Sequence, residues 1–332
     1  DEYLRLTYGS DRWQVSTRAV YSSSSNDFRY VNRDKKENIY DGQHNIIGQY
    51  YPVERNRNGA FRDLHLLQEV YYNTGRGDRF GLTAWYVNSR RGIPLLSVSY
   101  ADDDYENLQR EHTLRSVVTW DHVRTHYKVS AKAGYVNSNL AYDYSRDLGN
   151  GVMAQMIRSR SRVNTVYGQI GGEYYIGSKW LFTADITAHQ HFVVSSDKNI
   201  ITQQGGNAVV GYDKARMELS AYVSAKWRPT ERLGISAALR EELYGRSASP
   251  VIPALFVDYT VSRRGQVVVK GSVSRNYRFP TLNDLYFLPG GNPDLKRENG
   301  FSYDWGVEAA AGDGKRFSIK GCLLYTSPSP RD

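Results

Sequence analysis

Hydrophobic and polar residues alternate with a period of two along most of the chain. In the stretch KWLFTADITAHQH, which begins at Lys179, every second residue from Trp180 to Ala188 is apolar. The same alternation starts again near Tyr127, Arg216 and Tyr303. Successive side chains of a β-strand point to opposite faces, so each stretch predicts a strand with one apolar and one polar face. No stretch has a convincing helical period, and the predicted fold class is all-β.

The predicted strands are longer than those of most soluble proteins. Each alternation lasts about ten residues or more, whereas an average strand has about five or six. About ten tilted residues are what a strand needs to cross the core of a bilayer. Aromatic residues stand at the ends of the apolar faces, as in the interfacial girdles of membrane barrels: Tyr127, Tyr135, Trp180 and Trp227. Strand length and aromatic placement favour a transmembrane barrel.

The connections between the predicted strands alternate between short and long. Short turns are predicted at residues 9–11, 75–78, 177–179, 229–232, 263–265 and 312–314. Long polar loops are predicted at residues 26–62, 90–108, 143–159, 195–213 and 277–300. This alternation places all the long loops at one rim, as in outer-membrane barrels. We predict a transmembrane antiparallel β-barrel, partial in this chain, with about fourteen strands visible. A soluble β-sandwich or adhesin would explain the period, but not the strand length or the one-sided loops.

Composition narrows the class of protein further. Hydrophobic residues make up 40% of the 332-residue chain, yet aromatic residues reach 13%, with 27 tyrosines. This combination suits exposed sheet or an interface that rewards amphipathic rings. The net charge is +8, but the basic residues are spread among 35 acidic ones rather than clustered. We therefore predict no nucleic-acid partner.

The last eleven residues break the pattern. The single cysteine, Cys322, opens the ending CLLYTSPSPRD. This string is what one reading frame of a transposase adapter used for DNA sequencing libraries would encode. We predict that residues 322–332 are adapter read-through and not native, and that residues 1–321 are a partial barrel domain that continues in the natural protein. On this prediction the native segment has no cysteine chemistry.

One loop carries a recognisable motif. The run SRNYRFPTLNDLYF is followed by GGNPDLKRENGFSYDWGVE. This arrangement resembles the barrel motif of TonB-dependent outer-membrane receptors, especially the branch that takes up cobalamin and iron chelates. The matching positions are Arg278, Pro280, Thr281, Asp284, Leu285, Tyr286, Gly291, Asn292, Pro293, Leu295 and Glu298. Arg297 departs from the family, where proline is frequent. The stretches NDFRYVN (26–32) and RRGIP (90–94) also resemble parts of the family.

The resemblance implies a function and partners. Receptors of this family have a barrel of 22 strands filled by an N-terminal plug, and a TonB box ahead of the plug couples them to TonB. The expected function is active import of a scarce chelate, namely cobalamin, a ferric siderophore or haem, across the bacterial outer membrane. The expected partners are TonB, the small-molecule chelate and outer-membrane lipid or lipopolysaccharide. The plug and TonB box are not expected on this chain, which would supply about 14 of the 22 strands.

The motif also has a structural reading. Pro280 and Pro293 lack a backbone N–H and fix φ, so the segment must leave the strand ladder there. Asn292 starts a turn, and Asp294 can cap a short helical turn. The large apolar residues of the segment need a surface to pack against. We predict an anchored crossing at the barrel rim, with a structural role.

Other candidate sites are weaker. His189 and His191 share a strand face and can be metal or haem ligands, although two polar lumen residues need no such role. The carboxylates of Asp102, Asp103 and Asp104 can hold a structural Ca²⁺ ion, or simply form a solvated loop tip. No catalytic constellation competes, so we predict that the protein is not an enzyme. The alternative functions are a passive porin or translocator barrel and a soluble β-rich adhesion protein.

Overall fold

The fold was analysed in a computed structural model that describes residues 1–94, 105–149, 151–199, 210–262, 267–288, 290–311 and 317–328. Its strands are β1 (Glu2–Gly9), β2 (Trp13–Ser24), β3 (Arg29–Val31), β4 (Glu37–Tyr40), β5 (Ile46–Tyr50), β6 (Val53–Arg55), β7 (Phe61–Asn73), β8 (Asp78–Gly92), β9 (Tyr105–Val123), β10 (Tyr127–Asp147), β11 (Met153–Ile176), β12 (Trp180–Asn199), β13 (Val210–Trp227), β14 (Leu233–Tyr244), β15 (Ser247–Ala248), β16 (Ile252–Ser262), β17 (Val267–Arg278), β18 (Glu298–Ala311) and β19 (Phe317–Pro328). One helix, α1 (Leu282–Tyr286), follows β17.

The strands form one large antiparallel sheet. Fourteen of them follow one another in the order β1, β2, β7 to β14 and β16 to β19, each beside its neighbour along the path, and β15 adds to the edge of β14. The pairs β3–β6 and β4–β5 form two small ribbons within the connection between β2 and β7. This up-and-down order confirms the predicted all-β antiparallel fold and the number of strands. No helix in the described ranges is long and apolar enough to span a membrane.

The apolar face of the sheet is exposed rather than buried. Along β12, Phe182 and Ile186 are 39% and 52% exposed, and Val223 on β13 is equally open at 52%. Within the described residues, only three hydrophobic side chains are buried: Val87, Leu108 and Val193. A soluble sandwich of this size would need a large buried apolar core. The distribution suits a wall whose apolar face is covered by lipid.

The opposite face is polar and satisfies itself by hydrogen bonds. Asp63, buried on β7, accepts a hydrogen bond from Ser89 on β8 and pairs with Arg91 at 2.9 Å. Thr113, fully buried on β9, lies 3.0 Å from the hydroxyl of Ser138 on β10. Buried polar groups are costly unless paired in this way. This polar face is therefore a structured surface, called the inner face below.

Aromatic rings mark the end of the apolar face nearest the short turns. Trp180 of β12 stacks on Trp227 of β13, with ring centroids 5.3 Å apart. Trp13 of β2 lies over Tyr72 of β7 at 4.7 Å. Amphipathic rings at one level across neighbouring strands are typical of a membrane–water boundary.

The hairpins at the long-loop rim differ in one respect from the sequence prediction. The predicted loop at residues 143–159 is mostly strand, because β10 continues to Asp147 and β11 begins at Met153. The same holds in part for residues 195–213, where β12 continues to Asn199. The polar composition of these segments suggested a loop, but main-chain pairing between hairpin arms does not require apolar side chains. The strands simply extend beyond the apolar band.

The ending of the chain pairs with the sheet. β19 lies antiparallel to β18, with Cys322 opposite Gly306 and Pro328 opposite Gly300. An edge strand offers unpaired N–H and C=O groups to any extended segment, whatever its side chains. The pairing therefore does not bear on the origin of residues 322–332, and their assignment to adapter read-through stays a prediction.

The exposed apolar face predicts a strong asymmetry between neighbouring positions. In the full-length protein, Ile186→Arg places a charge in the middle of the apolar face and should cost about 2–4 kcal/mol of folding free energy in a bilayer. Thr187→Arg, one residue along on the inner face, is the matched control and should cost much less. Urea titration of the protein folded in phospholipid vesicles measures both values. Equal losses for the two variants would contradict the assignment of the faces.

Candidate functional site

The candidate site is the segment 279–297, which carries the family motif and joins β17 to β18. The ladder between these strands ends at the pair Arg278 and Glu298. Their side chains also form an ion pair at 3.3 Å, and Arg278 lies 3.8 Å from Asp284. Pro280, two residues on, has no N–H to offer a partner strand. The chain therefore leaves the ladder at the position that the sequence predicts.

A capping box starts the short helix α1. The backbone N–H of Asp284 donates to the hydroxyl of Thr281 at 3.1 Å, and the N–H of Thr281 donates to the carboxylate of Asp284 at 2.8 Å. The hydrogen bond from the Thr281 backbone N–H stabilises the charged carboxylate and lowers the pKa of Asp284, with further contributions from the Thr281 side chain and, more weakly, from the Arg278 guanidinium. The reciprocal pair satisfies two backbone donors that the helix itself cannot. The cap that the sequence predicts at Asp294 lies instead at Thr281, and the T-x-x-D spacing of Thr281 and Asp284 is the sequence pattern that marks it.

The second half of the motif turns the chain back. The N–H of Asn292 donates to the carbonyl of Asp284 at 2.9 Å, and the side chain of Asn292 accepts from the N–H of Asp294 at 2.9 Å. Gly291 lies so close to the preceding turn that an added Cβ would stand 2.5 Å from the carbonyl oxygen of Phe287. Only glycine fits without moving the backbone. Asp294 thus takes part in the turn at Asn292 and does not cap a helix.

The segment is held on the inner face of β13. The guanidinium of Arg216 donates to the carbonyl of Pro280 at 2.9 Å. Nearer the rim, the hydroxyl of Tyr212 bonds to Asn283, and the ammonium of Lys214 lies 4.7 Å above the ring of Tyr286. Successive anchors are two positions apart, so all three project from the same face of the strand.

Aromatic rings complete the attachment on the next strand. Phe279 stacks on Tyr244 of β14 with ring centroids 4.1 Å apart. The Arg297 guanidinium lies over the Phe279 ring, 5.4 Å from its centroid, and donates to the hydroxyl of Tyr277 at 3.0 Å. Arg297, where the sequence departs from the family motif, therefore has a structural role of its own. Leu295 and Leu288 remain largely exposed.

A polar network continues from the segment along the inner face. The carboxylate of Glu218 accepts from Arg216 at 2.6 Å, and its other oxygen lies 3.6 Å from Nε2 of His191. Nδ1 of His191 is 2.8 Å from the hydroxyl of Thr165. The rings of His189 and His191 lie parallel, 5.7 Å apart. The two histidines are thus close together and engaged with neighbours.

The remaining candidate sites have no further support. Among the residues that the structure describes, no group of three or more His, Cys, Asp and Glu side chains is arranged to hold a metal ion. The proposal that His189 and His191 are metal or haem ligands stays a prediction. Asp102, Asp103 and Asp104, the candidate Ca²⁺ ligands, lie outside the described residues.

Most of the predicted motif residues come together, and some important partners were not predicted. An ion pair and backbone hydrogen bonds join Arg278, Thr281, Asp284 and Asn292. In the same segment the carbonyl of Pro280 accepts from Arg216, and the N–H of Gly291 donates to the carbonyl of Phe287. The alternation placed Arg216 on the polar face, but it could not show that this residue would contact Pro280, 64 positions away. Tyr212 and Tyr244 were missed for the same reason. The site as a whole is a folded segment held against the inner face.

Comparison with known proteins gives the family. A family described as TonB dependent receptor-like, beta-barrel, matches residues 33–321. The chain belongs to this family. Its homologues import metals, siderophores, haem and peptides, and the family is one of bacterial outer membranes. No curated protein matches the chain significantly.

Solved structures agree with the fold of the family. The Serratia marcescens hemophore receptor HasR superposes with a TM-score of 0.69 at 12% identity, covering 98% of this chain and 52% of that one. The ferric yersiniabactin uptake receptor FyuA from Yersinia pestis gives 0.63 at 12%, with coverages of 98% and 52%. The ferric-catecholate import receptor Fiu from E. coli K12 gives 0.64 at 12%, with 98% and 56%. The chain therefore spans about half the length of these receptors.

The capping box predicts a local effect of Thr281. In the full-length protein, Thr281→Ala removes a cap worth about 1 kcal/mol, so amide hydrogen exchange at Asp284 should become about fivefold faster. Thr281→Ser keeps the hydroxyl and should restore most of the protection. Exchange in β13 and β14 should not change. Unchanged exchange at Asp284 in the Ala variant would contradict the capping role.

The lowered pKa of Asp284 predicts a pH dependence of the same helix. A lowered pKa in the folded state means that the stabilisation is complete above the ordinary pKa of aspartate and is lost as the pH falls through the lowered value. A nitroxide attached to Leu288→Cys in a Cys322→Ser background should therefore gain mobility only on acidification below the usual aspartate range. Asp284→Asn should remove this transition. A transition near neutral pH, or one that survives in the Asn variant, would contradict the assignment.

Proposed function

We propose that the chain is the barrel portion of a TonB-dependent receptor that imports a scarce, bulky chelate across the outer membrane. The substrate class proposed is cobalamin, a ferric siderophore or haem. Membership of the family supports transport rather than catalysis. The similarity of the motif to the cobalamin and iron-chelate branch supports the choice of substrate class.

The observation that carries this proposal is the segment 279–297 on the inner face. Specific contacts from Tyr212, Lys214 and Arg216 hold it there, rather than leaving it as a free rim loop. A passage that must admit one bulky ligand and exclude others needs such fixed inward structure. A wide passive channel has less need of it. The proposal therefore favours a gated receptor over the passive porin or translocator.

The charges on the inner face support a hydrated lumen or a polar plug beside it. Lys270 pairs with Glu308 at 2.9 Å, and Arg18 pairs with Glu69 at 3.0 Å. Such groups are costly in a dry apolar core and are acceptable beside water or polar protein. The proposed partners are accordingly TonB, acting through a plug outside this chain, the chelate itself, and the lipid of the outer membrane. The proposed location is the bacterial outer membrane.

The test is substrate uptake by the complete gene product. It would be expressed in a reporter strain that lacks its own receptors, and uptake of labelled cobalamin, ferric siderophores and haem would be measured. One of these should accumulate above the level of the empty strain. Uptake should be lost in a strain without TonB and on collapse of the proton gradient.

A matched control distinguishes TonB-dependent import from passive diffusion through the barrel. Passive diffusion of a small sugar through the same cells should not depend on TonB. Uptake of a chelate that continues without TonB and without the proton gradient would show a passive barrel. Release of the protein from membranes by carbonate washing would show a soluble surface protein instead.

A further inference from the structure

A row of arginines crosses three neighbouring strands at the long-loop end of the sheet. Arg62 of β7 lies opposite Arg90 of β8, and Arg90 lies opposite Arg110 of β9. All three side chains are exposed. Like charges directly opposite each other on a sheet are destabilising. Among the described residues, no carboxylate pairs with Arg62 or Arg90, so the repulsion between them is not compensated within the sheet.

The row lies on the apolar face. Arg90 is an even number of residues from Phe80 and Leu82 on β8, each 45% exposed, and therefore shares their face. Arg110 shares a face with Val118 of β9 in the same way, and Val118 is 55% exposed. The arginines thus continue the surface that the fold presents to lipid, away from the inner face and its segment.

The height of the row is set by the strand register. It lies ten residues along the strands from a paired row of aromatic residues near the short turns: Tyr72, Phe80 and Trp120. Ten residues of strand span about 33 Å, and a tilt of about 40° reduces this to about 25 Å along the membrane normal. An outer-membrane barrel has an apolar band about 25 Å tall. The arginines therefore lie at the upper edge of that band, at the level of lipid headgroups.

The row continues across two more strands. Ala141 of β10 pairs with both Arg110 and Arg160, and so brings Arg160 of β11 into the same register. A groove of about 460 Å³ on this face is lined by Arg110, His112, Asn139, Arg160, Arg162 and Val194. Asp143 binds Arg160 at 2.7 Å and lies 3.9 Å from Arg110. The name basic row is used below for Arg62, Arg90, Arg110, Arg160 and Arg162.

The balance of charge along the basic row is positive. Among the residues that the structure describes, the acidic side chains beside it are Asp143 and Glu106. Glu106 lines a second groove, of about 620 Å³, together with Arg62 and Arg90. Five guanidinium groups therefore face two carboxylates. The planar guanidinium of arginine forms bidentate hydrogen bonds with two phosphate oxygens, and it therefore binds phosphate more specifically than a point charge does.

We propose that the basic row binds the phosphate groups of a phosphorylated glycolipid of the outer leaflet, whose acyl chains lie on the apolar face below. The proposal rests on the proposed function only for the location of the sheet in an outer membrane. The lipid phosphates bridge Arg62, Arg90 and Arg110 and remove their mutual repulsion. A ligand with both phosphates and acyl chains is the one that fits a basic row placed directly above an apolar band.

The test uses the purified full-length protein in detergent and diphosphorylated lipid A as the probe. Native mass spectrometry measures the bound fraction as lipid is added. Arg90→Gln combined with Arg110→Gln should weaken binding at least tenfold, since two charged hydrogen-bonding partners are lost. The same variant, free of lipid, should be at least as stable to urea as the unaltered protein, because the repulsion is gone. If these arginines had a merely structural role, the variant would instead be less stable to urea than the unaltered protein.

A matched control removes the same charge from the same rim. Arg29 on β3 and Arg246, just after β14, are both exposed and lie outside the basic row. Arg29→Gln combined with Arg246→Gln should leave lipid A affinity within about twofold of the unaltered protein, as expected where no specific contact is lost. Lipid A without phosphates should bind the unaltered protein and the control variant only as weakly as diphosphorylated lipid A binds the row variant.

Each other outcome overturns the proposal. The row variant could keep its lipid affinity, or both double variants could lose it equally, which would mean that net charge alone attracts the lipid. Millimolar inorganic phosphate could displace the lipid fully, which would mean a site for the free anion. If the Gln variant does not fold, Arg90→Lys with Arg110→Lys keeps the charge and should bind lipid A with intermediate affinity. In addition, the lipid A affinity of the unaltered protein must fall as the salt concentration is raised.

The lipid test is independent of transport. It uses neither TonB nor a chelate, so lipid binding can fail while chelate uptake is intact. Conversely, a passive barrel that fails the uptake test can still bind lipid A at the basic row. The two failures are therefore distinguishable.

Discussion

The main-chain hydrogen-bond ladder between neighbouring strands is the constraint on which the rest of the structure depends. In a bilayer no water is available to satisfy backbone N–H and C=O groups, so a spanning sheet must pair each strand with the next. The observed order does this by simple succession from β1 to β19, with short turns at one rim. The strand register then determines which side chains of neighbouring strands lie side by side, as in the aromatic row at Trp120 and the arginine row at Arg110.

The two faces of the sheet are stabilised by different interactions. The apolar face carries few specific contacts and is stabilised by lipid, so light residues such as Ala and Val suffice there. The inner face carries the docked segment and the polar contacts around Asp63, Thr113 and Glu218. Arg216 links the docked segment to the sheet: its guanidinium donates to the Pro280 carbonyl and also pairs with Glu218 of β13.

The sequence could predict the faces, the strands and the alternation of rims, because all of these depend on a local period of two. The motif residues from Arg278 to Glu298 were also predicted to act together, because proline, glycine and asparagine have strong local effects. Contacts between strands could not be predicted. A period fixes which face Arg62 and Arg90 share, but only the turn lengths fix that they stand opposite each other. The sequence does not predict the extension of β10 to Asp147, because the polar composition of residues 143–147 is typical of a loop.

The most direct test of the account is a cysteine scan along β12 from Trp180 to His191 in the full-length protein. Each site would carry a nitroxide, and its collision rates with oxygen and with a water-soluble nickel complex would be measured in a bilayer. The account predicts a period of two, with oxygen favoured at the even positions from Trp180 to Ala188 and the nickel complex favoured at the odd ones. Uniform access of the nickel complex to every position would contradict a lipid-facing wall.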